Sequence, residues 1–103
     1  MDIPNKTVPE KLLALERSDV RVVRESYAKG YVLGKNLAFW LGWYGKKHLL
    51  KTAMASTHKG PGKDKTAYQI GMVVGYMDQA RVNRMIHQDE ALTIDDLALL
   101  GLP

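Results

Sequence analysis

The sequence contains the pattern Tyr-x-x-Gly-x-x-x-Gly twice, first at 27–34 and again 41 residues later at 68–75. Two glycines four residues apart lie on one face of an α-helix, and because glycine has no Cβ, a second backbone can approach that face closely. A glycine inside a helix costs roughly 1 kcal/mol relative to alanine, so four of them indicate a compensating contact. We therefore expect two helix-packing faces that meet within one chain or across a dimer, formed by Tyr27, Gly30, Gly34, Tyr68, Gly71 and Gly75. A glycine face kept for a partner or for flexibility is the alternative.

The length and composition of the chain suit one domain. With 103 residues, 46% of them hydrophobic, it can bury one core, and we expect a single helical domain over 1–103. The absence of cysteine excludes a disulfide scaffold and a thiolate metal site. The first residues lack the basic and apolar pattern of a signal peptide, so we expect a cytoplasmic protein. The most apolar stretch, 37–44, is much shorter than the about 20 residues of a membrane span, and we expect no span.

Hydrophobic spacing and capping signals predict an all-α fold, a small bundle of four to five helices. A short first helix over about 8–17 follows a capping signal at Thr7. Ser18 and Asp19 would cap a second, long central helix that we expect to run from about 19 to about 53.

The second half of the chain is divided by one substantial loop. Gly42 and Gly45 would at most bend the long helix, whereas the glycine- and lysine-rich segment 56–65 cannot continue it. Thr66 would then cap a helix that we expect over 67–88, either continuous or divided into a helix-turn-helix.

The last segment has the sequence signature of a short capped helix. Thr93 with Asp96 forms a capping box before 94–100, and Gly101 ends the helix. No segment alternates with the period of two that a half-buried strand requires, which supports the all-α prediction.

A block of large aromatic side chains is the best candidate for a binding surface. Phe39, Trp40, Trp43 and Tyr44 lie within six residues, and a helix that is apolar around its whole circumference must be covered on every side. Tryptophan and tyrosine are enriched among residues that contribute most binding energy at interfaces. We expect these four residues to form a partner interface with a charged rim of Lys46, Lys47 and Lys51. A central core helix is the alternative interpretation.

The net charge of +4 is unevenly distributed along the chain. Residues 1–65 contain 13 Lys and Arg against 6 Asp and Glu, whereas 66–103 contain 2 against 5. The basic stretch 46–65 would suit an acidic partner or nucleic-acid phosphates, which Lys59, Lys63 and Lys65 would contact. A solvated lysine surface is the alternative.

Residues 67–87 also permit a helix-turn-helix, with a first helix over 70–74, a turn over 75–78 and a second helix from Gln79. This stretch resembles the second helix-turn-helix of AraC-type regulators over about a fifth of the chain, through Ile70, Val74, Gly75, Tyr76, Asp78, Gln79, Val82, Arg84 and Ile86. Gly71 stands where that family usually has alanine. The resemblance implies DNA binding, with the major groove contacted by Gln79, Arg81, Asn83 and Arg84.

No pattern in the sequence indicates an enzyme. The three histidines, His48, His58 and His87, are too far apart for a metal motif, and no cysteine supplements them. Lys63 follows a Gly-Pro-Gly turn, but a phosphate loop requires serine or threonine after the lysine, and Asp64 is there instead. We expect no cofactor, no metal and no small-molecule ligand. An enzyme would need a pocket that combines a histidine with a carboxylate.

The sequence therefore predicts a small non-enzymatic helical protein that acts through protein–protein contacts. It would be a self-associating assembly subunit, an adaptor or an inhibitor, of the kind common in phages and mobile elements, with a protein partner or a homo-oligomer as its assembly. The alternative is a helix-turn-helix DNA-binding regulator that uses residues 67–87.

Overall fold

The computed structural model describes residues 7–87 and 90–102, with side chains described from Glu10 onward. Within these ranges there are five helices: α1 (Thr7–Glu16), α2 (Arg21–Leu41), α3 (Lys46–Met54), α4 (Lys65–Val82) and α5 (Ile94–Leu99). No strand occurs in these two ranges, so the predicted small all-α bundle of four to five helices is confirmed. The cap predicted at Thr7 concerns a side chain outside the described set.

Helices α2 and α4 pack directly against one another through their glycines. A Cβ added to Gly30 would overlap the carbonyl oxygen of Tyr68, and one added to Gly71 would overlap that of Tyr27. A Cβ added to Gly34 would likewise overlap the carbonyl oxygen of Met72, and one added to Gly75 would overlap that of Tyr31. Contact positions increase together along both helices, so α2 and α4 run parallel.

These contacts are reciprocal, because the glycines of each helix lie against backbone carbonyl groups of the other helix. The two copies of the sequence pattern therefore meet side by side within one chain, related by the same 41-residue shift that relates them in sequence. Only a hydrogen fits between each glycine Cα and the facing carbonyl, so this side of each helix has no room for side chains.

The long helix ends earlier than predicted, at Leu41 and not near residue 53. Gly42 and Gly45 have φ angles of 81° and 98°, a region that residues with a Cβ rarely adopt, so the chain turns here where only a bend was expected. The Tyr76 hydroxyl of α4 donates a hydrogen bond to the Gly42 carbonyl and holds the turn. The chain then continues as α3, which belongs to the connection between the parallel helices α2 and α4.

Helix α4 contributes more residues to the core than any other helix. Ile70, Val73 and Met77 are fully buried, together with Leu97 of α5. The buried Gln69 donates from Nε2 to the carbonyl oxygen of Ala53 at 3.1 Å, which links α4 to α3. Neighbouring elements cover α4 on several sides, so residues at nearly every position from 69 to 77 are buried. Such a helix shows little amphipathic contrast.

The predicted caps are only partly correct. The Asp64 carboxylate accepts a hydrogen bond from the Ala67 amide at 2.9 Å, so Asp64 caps α4 in place of Thr66. Helix α2 begins after Val20, whose amide donates to the Ser18 hydroxyl at 3.1 Å. The capping box of Thr93 and Asp96 is present as predicted.

The turn of the suspected helix-turn-helix is absent. Helix α4 runs without interruption through Gly75 and Asp78 to Val82, and Gly75 lies against the α2 backbone where a turn was expected. Its end also precedes the predicted limit near residue 88, and Gln88 itself is outside the described ranges. Across those ranges, no helix combines the length and apolar character needed to cross a bilayer.

Candidate functional site: an aromatic surface at the end of α2

Four apolar side chains at the end of α2 and in the following turn are exposed to solvent. The exposed fractions are 61% for Phe39, 79% for Trp40, 54% for Leu41 and 64% for Tyr44. The Phe39 and Trp40 rings contact edge to face, with centroids 5.3 Å apart. We call these four residues the aromatic surface.

Packing of α2 against α4 explains why this surface faces outward. The α2 face toward α4 repeats every four residues as Gly30, Gly34 and Ala38, all buried. Phe39 and Trp40 follow Ala38 and are therefore rotated about 100° and 200° away from that face. Phe39 and Trp40 consequently lie outside the core, contrary to the core-helix alternative.

Trp43, which we predicted as part of the same interface, has different surroundings. Its ring is half-buried and packs edge to face on Tyr76 of α4, with centroids 6.0 Å apart. Burial raises the pKa of Tyr76, whose hydroxyl is hydrogen-bonded to Gly42. Trp43 therefore supports the turn, while Leu41, which was not predicted as an interface residue, belongs to the exposed surface.

The three lysines predicted to form a charged rim also differ in their surroundings. Lys46 is half-buried and holds α5, because its Nζ lies 2.8 Å from Asp96 Oδ2 and donates to the Ala91 carbonyl at 3.1 Å. Burial raises the pKa of Asp96, but hydrogen bonds from Lys46 and Thr93 outweigh it, so the net pKa is lowered. Lys47 and Lys51 are exposed and can form a rim.

The residues proposed to contact nucleic acid do not form one recognition surface. Lys59, Lys63 and Lys65 are exposed in and after the loop before α4. Arg81 pairs with Asp78 at 2.8 Å and donates to the Glu90 carbonyl, so it connects α4 to the C-terminal segment.

Gln79 donates to the side chain of Asn83 at 3.1 Å, and Arg84 has a positive φ of 57° beyond the end of α4. The last turn of α4 contains Gln79, and Asn83 and Arg84 follow it, so none of the three lies at the start of a recognition helix. DNA binding by this chain stays a prediction, now without the helix-turn-helix that motivated it.

Two polar clusters were not identified from the sequence. The Tyr31 hydroxyl donates to Asp78 Oδ2 at 2.7 Å, and burial together with this hydrogen bond raises the pKa of Tyr31 to about 12. The signal available in the sequence was Asp78, the one acidic residue on an otherwise apolar face of α4. The second cluster centres on His58.

His58 joins the loop before α4 to both long helices. Its ring stacks on Tyr68 with centroids 4.0 Å apart, and its Nε2 lies 3.3 Å from the buried Ser26 hydroxyl. Burial and the nearby Lys63 and Lys29 ammonium groups lower the pKa of His58. The pocket that His58 lines has no Asp or Glu among its described lining residues.

Comparison with known proteins gives no further guidance: no protein-family model matches the chain, and no curated protein or solved structure is significantly similar to it.

Proposed function

We propose that the protein is a non-enzymatic subunit that self-associates through the aromatic surface. The observation that supports this most directly is the pair Phe39 and Trp40 on helix α2, exposed over 61% and 79% of their surfaces. Exposure of large aromatic side chains to water is energetically unfavourable, and contact with another protein surface would remove their apolar area from water.

The area of the aromatic surface fits the centre of a modest dimer interface. Its four side chains expose on the order of 400 Å² of apolar area, about half of the roughly 800 Å² that each partner contributes to a stable interface. A two-fold dimer would place the surface against its own copy, with the exposed Lys47 and Lys51 at the hydrated edge.

The structure of α2 also lowers the entropic loss on association. The backbone of α2 lies against the backbone of α4 at Gly30 and Gly34, so the helix that presents Phe39 and Trp40 cannot shift easily. A preorganised surface loses less conformational freedom on binding than a mobile one.

Sedimentation velocity of the full chain over the micromolar range tests the proposal. We expect a concentration-dependent dimer whose dissociation constant rises about tenfold or more in Trp40→Ser, because a central tryptophan commonly contributes at least about 2 kcal/mol to an interface. Val32→Ser is the matched control, since Val32 is 58% exposed on the same helix but outside the aromatic surface.

A protein that stays monomeric throughout, or a Trp40→Ser variant that associates like the wild type, would contradict self-association through this surface. The adaptor and inhibitor roles predicted from the sequence would then require a different protein as the partner.

A further inference from the structure

A groove runs between α2 and α3, over α4. It consists of two adjoining depressions, of about 130 Å³ and about 440 Å³, which share Leu37 and Thr52 as lining residues. Tyr76 of α4 lines the smaller depression, while Tyr68 and Met72 line the larger one. The two depressions therefore adjoin at Leu37 and Thr52, and we treat them as one elongated groove.

The two ends of this groove differ in chemistry. The smaller depression is lined mainly by apolar side chains, including Leu41, Leu49 and Tyr44. The larger depression ends on hydroxyl and basic groups, which are Ser56, Thr57, His58 and Lys63. None of the described lining residues is acidic.

Positive charge concentrates at the polar end. No described carboxylate lies within ion-pair distance of the Lys63 ammonium, which remains available to an external anion. Lys63, Lys29 and Asp64 all act on the His58 ring, so two ammonium groups and one carboxylate lie near this end of the groove and leave it a net positive charge. The Ser56 hydroxyl accepts a hydrogen bond from the His58 amide at 3.2 Å, and its own proton can be donated to a ligand.

We propose that this groove binds a free anionic amphiphile, with its carboxylate at Lys63 and Ser56 and its unbranched alkyl chain along Leu37 toward Tyr44. The α2 residues that line the groove extend from Leu33 to Leu41, a distance of about 12 Å at the helical rise of 1.5 Å per residue. A medium-length alkyl chain fits that distance.

The apolar end favours an alkyl chain over a peptide. A peptide would bring amide and carbonyl groups that need partners. The Tyr76 hydroxyl there already donates to the Gly42 carbonyl, and the Thr52 hydroxyl donates to the His48 carbonyl at 3.0 Å. An alkyl chain needs no such partner and removes apolar surface from water. This ligand was not expected from the sequence, because its site is formed by residues from three separate helices.

Calorimetric titration of the full chain with dodecanoate and with dodecanol, both below the concentrations at which they aggregate, tests the role of charge. We expect dodecanoate to bind about tenfold more tightly than the neutral alcohol, and Lys63→Gln to weaken dodecanoate binding about fivefold without affecting the alcohol. Lys65→Gln is the matched control, since Lys65 is exposed two residues away and does not line the groove. Equal binding of the two ligands, or equal effects of the two lysine variants, would overturn the proposal.

A second measurement locates the site. Thr52→Trp places a large side chain where the two depressions meet, and we expect it to abolish dodecanoate binding while the circular dichroism spectrum stays that of the wild type. Ala55→Trp, at an exposed position that lines the larger depression, serves the same purpose if Thr52→Trp does not fold.

Dodecanoate binding that survives the folded blocking variant would overturn the proposal. So would binding lost in Trp40→Ser, because Trp40 is in the aromatic surface but not in the groove. Binding of anionic vesicles with no binding of the free amphiphile would assign the basic surface to a membrane instead and would equally overturn it. Leu41 and Tyr44 belong both to the aromatic surface and to the groove, so the titrations are made on dilute protein that sedimentation shows to be monomeric, where ligand binding and self-association are tested separately.

Discussion

At the scale of single residues, four glycines determine how closely the two long helices approach. Each of Gly30, Gly34, Gly71 and Gly75 faces a backbone carbonyl of the other helix, and a helix backbone cannot move aside as the end of a flexible side chain can. The roughly 1 kcal/mol that glycine loses to alanine in helix propensity is therefore outweighed by the contact that only glycine permits.

Substitution of Gly71 by alanine should destabilise the fold. The added methyl group would overlap the Tyr27 carbonyl, and overpacking of this kind costs about 1–3 kcal/mol after the gain in helix propensity. Gly30→Ala should have a similar effect, because its contact with Tyr68 is the counterpart of the Gly71 contact. Urea unfolding followed by circular dichroism measures both.

Lys29→Ala provides the control for the alanine itself, since Lys29 is exposed beside Gly30. An unchanged or higher free energy of unfolding in Gly71→Ala would show that α2 and α4 do not meet through their glycines.

At the scale of elements, the short helix α5 depends on contacts outside itself. Six residues are too few for an isolated helix to be stable in water, so its capping box and the ion pair between Asp96 and Lys46 must contribute. Lys46 therefore has a different role from Lys47, its exposed neighbour in the sequence.

Removal of this ion pair should weaken α5 in a pH-dependent way. Lys46→Met should lower the free energy of unfolding by about 1–2 kcal/mol near neutral pH, because Asp96 would be left buried without its charged partner. The folded-state pKa of Asp96 is lowered, so its contribution is present above the unfolded value near 3.8 and is lost as the pH falls through the folded pKa. The difference in unfolding free energy between Lys46→Met and the wild type should therefore shrink as the pH falls through the folded-state pKa of Asp96.

Urea unfolding at neutral and acidic pH measures this effect, with Lys47→Met as the exposed control. A Lys46→Met variant that is as stable as Lys47→Met at neutral pH would contradict the anchoring role.

At the scale of the whole molecule, the aromatic surface and the net charge of +4 act in opposite directions on self-association. Burial of apolar area favours contact between copies, whereas like-charged copies repel one another over a distance that salt shortens. Nucleic-acid binding has the opposite salt dependence, because salt competes with the lysines for phosphates.

Self-association should therefore strengthen as salt is raised from low to physiological concentration. Sedimentation equilibrium at the two salt concentrations measures the change in the dimer dissociation constant, which we expect to fall. A constant that rises with salt would indicate contacts dominated by opposite charges and would contradict an apolar interface. A mobility-shift assay at the same two concentrations measures nucleic-acid binding separately.

The sequence by itself determined the helical class, the α5 capping box and the two faces on which Gly30 and Gly71 lie, because spacing and caps act within a few residues. Only the tertiary structure decided that these faces meet within one chain, that α4 continues through Gly75, and that the long helix stops at Leu41. The candidate surface shows the same division: the sequence located the aromatic block, but not which of its members are exposed. Exposure of Trp40 and burial of Lys46 depend on which neighbouring helix covers each face, and a local pattern does not specify that neighbour.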